Sequence, residues 1–182
     1  KLLVAPVNLR QRLEVLIRRE MGHAAAGRKA HLIFKVNSVV DPEVIALLYQ
    51  ASQAGVRTDL LVRGMCCLRP GVKGIGENIN VTSIVGRYLE HSRVFYFLNG
   101  GQDEIYLGSA DLMERNLYHR VEVVFPLERL EHVRYLRDQV LETYLRDNVR
   151  ARIMQPDGKY KRLKPAAGAE LVDVQERLMG GK

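Results

Sequence analysis

His91 and Arg93 stand two residues apart at the head of an apolar run, Val94 to Leu98. On a strand that spacing turns both side chains to one face. Imidazole gives or takes a proton near neutral pH, and guanidinium binds phosphate oxygens through a planar fork. Asn99-Gly100-Gly101 is a hairpin signal, and Glu104 to Leu107 would return beside the first strand. Gly108-Ser109-Ala110-Asp111 then reads as an oxygen-rich helix start, with Asp111 and Glu114 at capping-box spacing. A helix N-terminus presents free N–H groups to anions. Brought together, these parts make a phosphate site with a nucleophile or proton donor in it. A lone histidine at a strand start is more often structural than chemical. Arg93 and the Gly-Ser pair shift the reading towards chemistry.

The rest of the chain must position that stretch. Its 182 residues suffice for one domain with a core, and 47% hydrophobic with 27% charged residues is ordinary for a soluble globular protein. A net charge of +7 predicts an anionic partner, for which nucleic acid, nucleotide and polyphosphate all qualify. Cys66 and Cys67 are adjacent. Neighbouring cysteines seldom bridge and two thiols alone do not hold a metal, so the expected setting is reduced and cytoplasmic. No apolar run reaches the roughly 20 residues of a membrane span, and no signal peptide is visible. A start at Lys1, directly before an apolar run, suggests a piece of a longer protein. The acidic residues form no cluster spaced for a metal, and neither a Walker A nor a dinucleotide glycine motif is present.

Taken in order, Leu2 to Val4 reads as a short edge strand and residues 6–26 as an amphipathic helix, striped by Leu9, Leu13, Leu16, Ile17 and Met21. His31 to Val36 reads as a strand. Asp41-Pro42-Glu43 is a helix start, with Asp as cap and Pro in first position. That helix buries Val44, Leu47, Leu48 and Ala51, and Gly55 stops it. Val56 to Val62 is the next strand, so strand, helix and strand imply a parallel crossover. Residues 63–80 form a long basic, glycine-rich loop at the end of a parallel strand, the usual edge for ligand sites in open α/β sheets. Residues 81–86 are a short segment and 87–90 one helical turn. After the organising stretch come a short helix (112–116), a strand (119–125), a long helix (129–147), a hairpin around Pro156-Asp157-Gly158, and a last helix (169–179).

His91-x-Arg93 and Gly108-Ser109-x-Asp111 resemble the His-x-Lys and Gly-Ser-x-Asn motif of the phospholipase-D superfamily. Arg93 stands where lysine is usual, and Asp111 where asparagine is usual. With LLVRGMCCLRPGV (60–72), SIVGRYLEHSRVFYF (83–97), GSADLMERNLYHRVEVVFP (108–126) and KVNSVVDPEVIALLYQASQAGV (35–56), the chain resembles the C-terminal domain of bacterial, ATP-using polyphosphate kinases over nearly its whole length. That resemblance implies a phospholipase-D-like α/β fold, a mixed sheet of about six or seven strands with helices on both faces. It implies reversible transfer of the ATP terminal phosphate to inorganic polyphosphate. A histidine in a preceding domain is then the phosphorylated nucleophile, and His91 is the second histidine, acting as proton donor or acceptor or holding phosphate.

By the same resemblance Arg63 and His91 bind ATP phosphates; Arg93, beside His91, is placed to neutralise charge on the transferring phosphoryl group. Arg120 joins them if its strand lies next to the His91 strand, and Lys35 is a weaker candidate of the same kind. Ser109 and Asp111 orient His91 or cap the helix. Arg63, Arg69, Lys73, Arg93 and Arg120 are five cations expected to converge on one face. Mg²⁺ would come with the nucleotide or be held by a missing domain. Expected partners are ATP or ADP, polyphosphate, and preceding domains of the same chain. The full-length protein is expected to be a homo-oligomer, and the chain alone inactive or nearly so. His23, His31, His119 and His132 read as structural or surface residues. The alternatives are a phospholipase-D-type phosphodiesterase or nuclease, in which a dimer pairs two copies of His91, and a non-catalytic polyanion-binding module.

Overall fold

Two strands seed the sheet: β2 (His31–Val36), apolar apart from His31 and Lys35, and β3 (Arg57–Val62), which ends in the apolar run Leu60-Leu61-Val62, each buried over five of its six residues. Strands buried in this way are covered on both faces. They pair in parallel, with Lys35 opposite Leu61. The helix between them, α2 (Pro42–Gln53), starts where expected. The Asp41 carboxylate accepts the Val44 N–H at 2.8 Å, and Pro42 fills the first turn. Gly55 reverses the chain just after it, at a φ of 89° that favours glycine.

The computed structural model describes residues 2–180. Its remaining strands are β1 (Leu3–Ala5), β4 (Ile79–Ser83), β5 (Arg93–Phe97), β6 (Glu104–Gly108), β7 (Glu122–Pro126), β8 (Arg152–Met154) and β9 (Tyr160–Arg162). The sheet runs β1-β7-β6-β5-β2-β3-β4-β8-β9. β4 is parallel to β3, and every other added pairing is antiparallel. Asn99–Gly101 turns β5 back into β6, as the glycine pair predicts. Nine strands rather than six or seven are present among the described residues. The excess lies at the edges. β1, β8 and β9 have three residues each: β1 joins the sheet through β7, and the β8–β9 hairpin expected around Pro156-Asp157-Gly158 joins it through β4.

Helices cover both faces. On one, α1 (Leu9–Ala25) and α2 press Leu13, Leu16, Ile17, Leu47 and Leu48 onto Phe34, Leu60, Phe95 and Phe97. On the other lie α3 (Leu130–Tyr135), a π-turn (Leu136–Leu141), α4 (Glu142–Arg146) and α5 (Val174–Gly180). They bring Val133, Leu141, Tyr144 and Val174 against Ile33, Leu61, Val94 and Tyr96.

Three local expectations give way. No helix begins at Asp111: the chain there is irregular, and a π-turn follows at Arg115–His119. Residues 87–90 form no helical turn: the chain bends at 87–88 and is irregular at 89–90. The long basic loop ends at Asn78, where Asn78 hydrogen-bonds Ser52 and the chain enters β4. No helix among the described residues is long and apolar enough to cross a membrane.

Candidate active site

Parallel β2 and β3 end where antiparallel β5 begins, and β6 ends opposite that point, with Arg93 facing Gly108. One edge of the sheet therefore gathers Asn37 after β2, Arg63 after β3, His91 before β5 and Asp111 after β6. This is the carboxyl edge of the parallel strands, where open α/β sheets place ligands.

Asp111 is the hub of that edge. Its Oδ1 accepts the backbone N–H of Asn37 at 2.7 Å and of Ser38 at 3.3 Å. Arg93 closes on it as a fork, Nε to Oδ1 at 3.3 Å and Nη2 to Oδ2 at 3.0 Å. Burial alone would raise the Asp111 carboxyl, but the Arg93 bonds and the Asn37 N–H outweigh it and hold it below the ordinary aspartate range. The expected helix cap is thus replaced by a longer-range job. A cap needs a helix immediately ahead, whereas here the carboxylate meets an arginine from the neighbouring strand.

Arg93 also donates Nη1 to the His91 carbonyl at 2.6 Å. This bond, rather than strand alternation, couples the pair, because β5 starts at Arg93 and leaves His91 just outside it. His91 itself is exposed, and among the described residues its ring has no hydrogen-bond partner. Arg63 joins the same network: its Nε donates to Asn37 Oδ1 at 3.1 Å, and the Asn37 side-chain amide reaches Asp111 at 3.4 Å. Both Nη groups of Arg63 remain without a partner among the described residues. Asn37 is the residue that sequence reasoning overlooked. Its signal was its position, a polar side chain immediately after a parallel strand.

Lys35 is held by partners within the protein. Alternation along β2 sets it with Ile33 on the α4 side of the sheet, while Arg93 lies with Phe95 on the α1 side. Lys35 is 7% exposed. Its ammonium pairs with Glu90 at 2.8 Å, donates to Ser92 Oγ at 2.9 Å, and sits 4.8 Å from the centre of the Tyr144 ring. Those partners leave it turned inward rather than offered to a ligand. Lys35, Arg63, Glu90 and Tyr144 line a cavity of about 20 Å³, room for a water.

The five cations do not converge. β6 separates Arg120's strand from β5, so the adjacency on which its role depended is not met, and Arg120 is exposed. Arg69 bonds the Pro156 carbonyl at the β8–β9 turn, on the far side of the sheet order. Lys73 lies beside Gly74, whose carbonyl accepts from Gln53 at the end of α2, towards the opposite edge of the sheet. Ser109 turns to Glu122, which also takes the Asn116 amide at 2.5 Å. His31 pairs with Asp59 at 2.7 Å and His23 with Asn99 at 3.2 Å. Exposed His119 and His132 approach Glu114 and Glu131. Among the described residues no three His, Cys, Asp or Glu side chains gather to hold a metal ion.

With this geometry in hand, known proteins offer a comparison. Residues 2–175 match the family described as "Polyphosphate kinase C-terminal domain 2". A polyphosphate kinase of Pseudomonas aeruginosa is 54% identical over 98% of the chain, and one of Prochlorococcus marinus is 51% identical over the same share. The chain spans only about a quarter of those relatives, 26% and 25% of their lengths. The crystal structure of a polyphosphate kinase from Porphyromonas gingivalis superposes with a TM-score of 0.93 at 38% identity, covering all of this chain and 28% of that one. A phospholipase D family member, Nuc from Salmonella typhimurium, superposes with a TM-score of 0.58 over 85% of this chain and 97% of its own, at 14% identity, which speaks for the fold alone.

Proposed function

This chain belongs to the polyphosphate kinase C-terminal domain family, and we propose that residues 2–180 act as one domain of a longer polyphosphate kinase. In that role it holds the terminal phosphates of ATP while the γ-phosphoryl group passes, reversibly, to inorganic polyphosphate. The bond between the β–γ bridging oxygen and the γ-phosphorus breaks. A histidine of a preceding domain takes the phosphoryl group, ADP leaves with the bridging electron pair, and the terminal oxygen of polyphosphate collects the group in the second step. His91 faces that histidine and donates or accepts a proton, or holds a phosphate oxygen. Arg63 binds ATP phosphates through its free Nη groups. Arg93 fixes the His91 backbone, and Asp111 in turn fixes Arg93. Mg²⁺ enters with the nucleotide or is held by the rest of the enzyme. A cytoplasmic setting, where ATP is found and the Cys66 and Cys67 thiols stay reduced, fits this reading, as does assembly into a homo-oligomer.

The observation that carries the reading is one sheet edge with an unpartnered imidazole, an arginine with free Nη donors, and a carboxylate buried beneath them as their anchor. Phosphoryl transfer asks mainly for positioned positive charge. Arg63 gives the direct test in the full-length enzyme. Arg63→Ala is expected to raise the KM for ATP roughly 10- to 100-fold, the worth of a charge-assisted phosphate contact of about 1.5–3 kcal/mol. Arg63→Lys keeps the charge but loses the fork, so it should be impaired less. Unchanged ATP dependence in both variants removes Arg63 from the site. The chain by itself, incubated with γ-labelled ATP and Mg²⁺, is expected to acquire no acid-labile phosphohistidine. Stable label on His91 would instead favour the phospholipase-D-type reading, with His91 a nucleophile in its own right.

A further inference from the structure

We propose that Lys35 and Gln175 are positioning residues for His91, acting through a clamp on the irregular chain between β4 and β5. The proposal rests on the reading of His91 as a phosphate-site histidine. From Ile84 to Ser92 the chain forms neither helix nor strand, so regular backbone bonding does not fix the residue that must be aimed.

Side chains from two distant elements do that work. Gln175 of α5 accepts the Tyr88 N–H through Oε1 at 2.9 Å and donates Nε2 to the Tyr88 carbonyl at 2.9 Å, as a neighbouring strand would. The same Nε2 lies 2.7 Å from Glu90 Oε1. The other Glu90 oxygen takes Lys35 Nζ at 2.8 Å and the Tyr144 hydroxyl. Lys35 also bonds Ser92 Oγ at 2.9 Å. One buried ammonium on β2 thus grips the residues on both sides of His91, and Arg93 holds the carbonyl of His91 itself.

Gly86 is an independent sign that this contact is built in. A Cβ there would stand 2.2 Å from Gln175 Oε1 and 2.5 Å from its Cδ, so the amide occupies the space a larger residue would need and would have to shift. The Lys35–Glu90 pair points the same way. A buried ion pair contributes little stability over an apolar pair of similar volume. Its return here is geometric, a fixed Cα for an exposed imidazole.

The test uses full-length polyphosphate kinase carrying this domain, with Gln175→Leu introduced into the wild type and into His91→Ala. Hydrogen exchange of residues 84–92 is followed beside kcat. In the wild-type background kcat should fall on the order of 10- to 100-fold, the effect of misplacing a catalytic group by about an ångström. Exchange should rise in residues 84–92 and stay unchanged in β2 and β3. In the His91→Ala background the same substitution should cost nothing further, because the group it aims is already gone. Gly86→Ala should reproduce the loss, and Gly86→Ala with Gln175→Ala should be no worse than Gln175→Ala alone. An equal loss in both backgrounds, lost protection across the whole domain, or unchanged kcat makes Gln175 a packing residue and overturns the proposal. Full activity of His91→Ala by itself would instead overturn the assignment of His91.

Discussion

His91→Ala in full-length polyphosphate kinase is expected to cut polyphosphate synthesis by at least about 100-fold, the lower end of what a positioned acid–base histidine supplies. It should do so without cost to the fold. The His91 side chain is exposed and has no hydrogen-bond partner among the described residues. What holds this part of the chain is its carbonyl, bonded to Arg93, and its neighbours Glu90 and Ser92, and truncation of the imidazole touches none of these. An exposed substitution of that kind changes stability by no more than about 0.5 kcal/mol. Paired measurements of turnover and thermal unfolding separate the two effects. Near-normal turnover removes His91 from the chemistry, and a large drop in unfolding temperature shows that the ring has a structural partner in the assembled enzyme.

Asp111→Ala is expected to do the reverse, unfolding the site first and losing activity as a consequence. The residue is 6% exposed. Removing its carboxylate strands the Arg93 guanidinium, 17% exposed, and frees the Asn37 and Ser38 N–H groups. Breaking one side of a buried pair costs about 3–5 kcal/mol, measurable by urea unfolding of this chain at pH 7. Asp111→Asn keeps an acceptor for the two N–H groups and should cost less. The pair also sets a pH dependence. The folded state depresses the Asp111 pKa, so its stabilisation is fully present above the ordinary aspartate value of about 3.9. It is lost as the pH falls through the lower, folded value. The wild type should therefore lose stability below about pH 4 more steeply than Asp111→Asn. Parallel acid profiles for the two proteins would show that Asp111 is not charged in the fold.

Much of the framework was legible because its signals are local. Asp41-Pro42 announced α2, the runs at His31–Val36 and Arg57–Val62 announced buried parallel strands, and Asn99-Gly100-Gly101 announced the β5–β6 hairpin. What escaped depends on partners far along the chain. Asp111 and Glu114 have the spacing of a capping box, but the spacing cannot register Arg93 on the next strand, which claims the carboxylate. Lys35 looked like one more cation near a phosphate site. Only the pleat of β2 reveals that it faces Tyr144 rather than the α1 side. The π-turns at Arg115–His119 and Leu136–Leu141 widen helical sequences in a way that a 3.6-residue period does not anticipate. His91, Arg93 and Arg63 lie on one edge, whereas Arg69, Lys73 and Arg120, grouped with them on charge alone, do not join them, because charge carries no information about place.

The clamp on the His91 segment spans the order in which the chain is made. Glu90 and its partner Gln175 are 85 residues apart. At a synthesis rate of ~5–20 residues per second, the segment bearing His91 emerges roughly 4–17 s before the helix that secures it. During that interval β2 and Lys35 are already available, but Gln175 and Tyr144 are not, and the chain ahead of Arg93 has little to rest against. A nascent molecule therefore displays Arg63 before Gln175 can hold the His91 segment. On the proposed reading, the aiming of His91 is then a late step of biosynthesis, waiting for α5 as well as for the sheet.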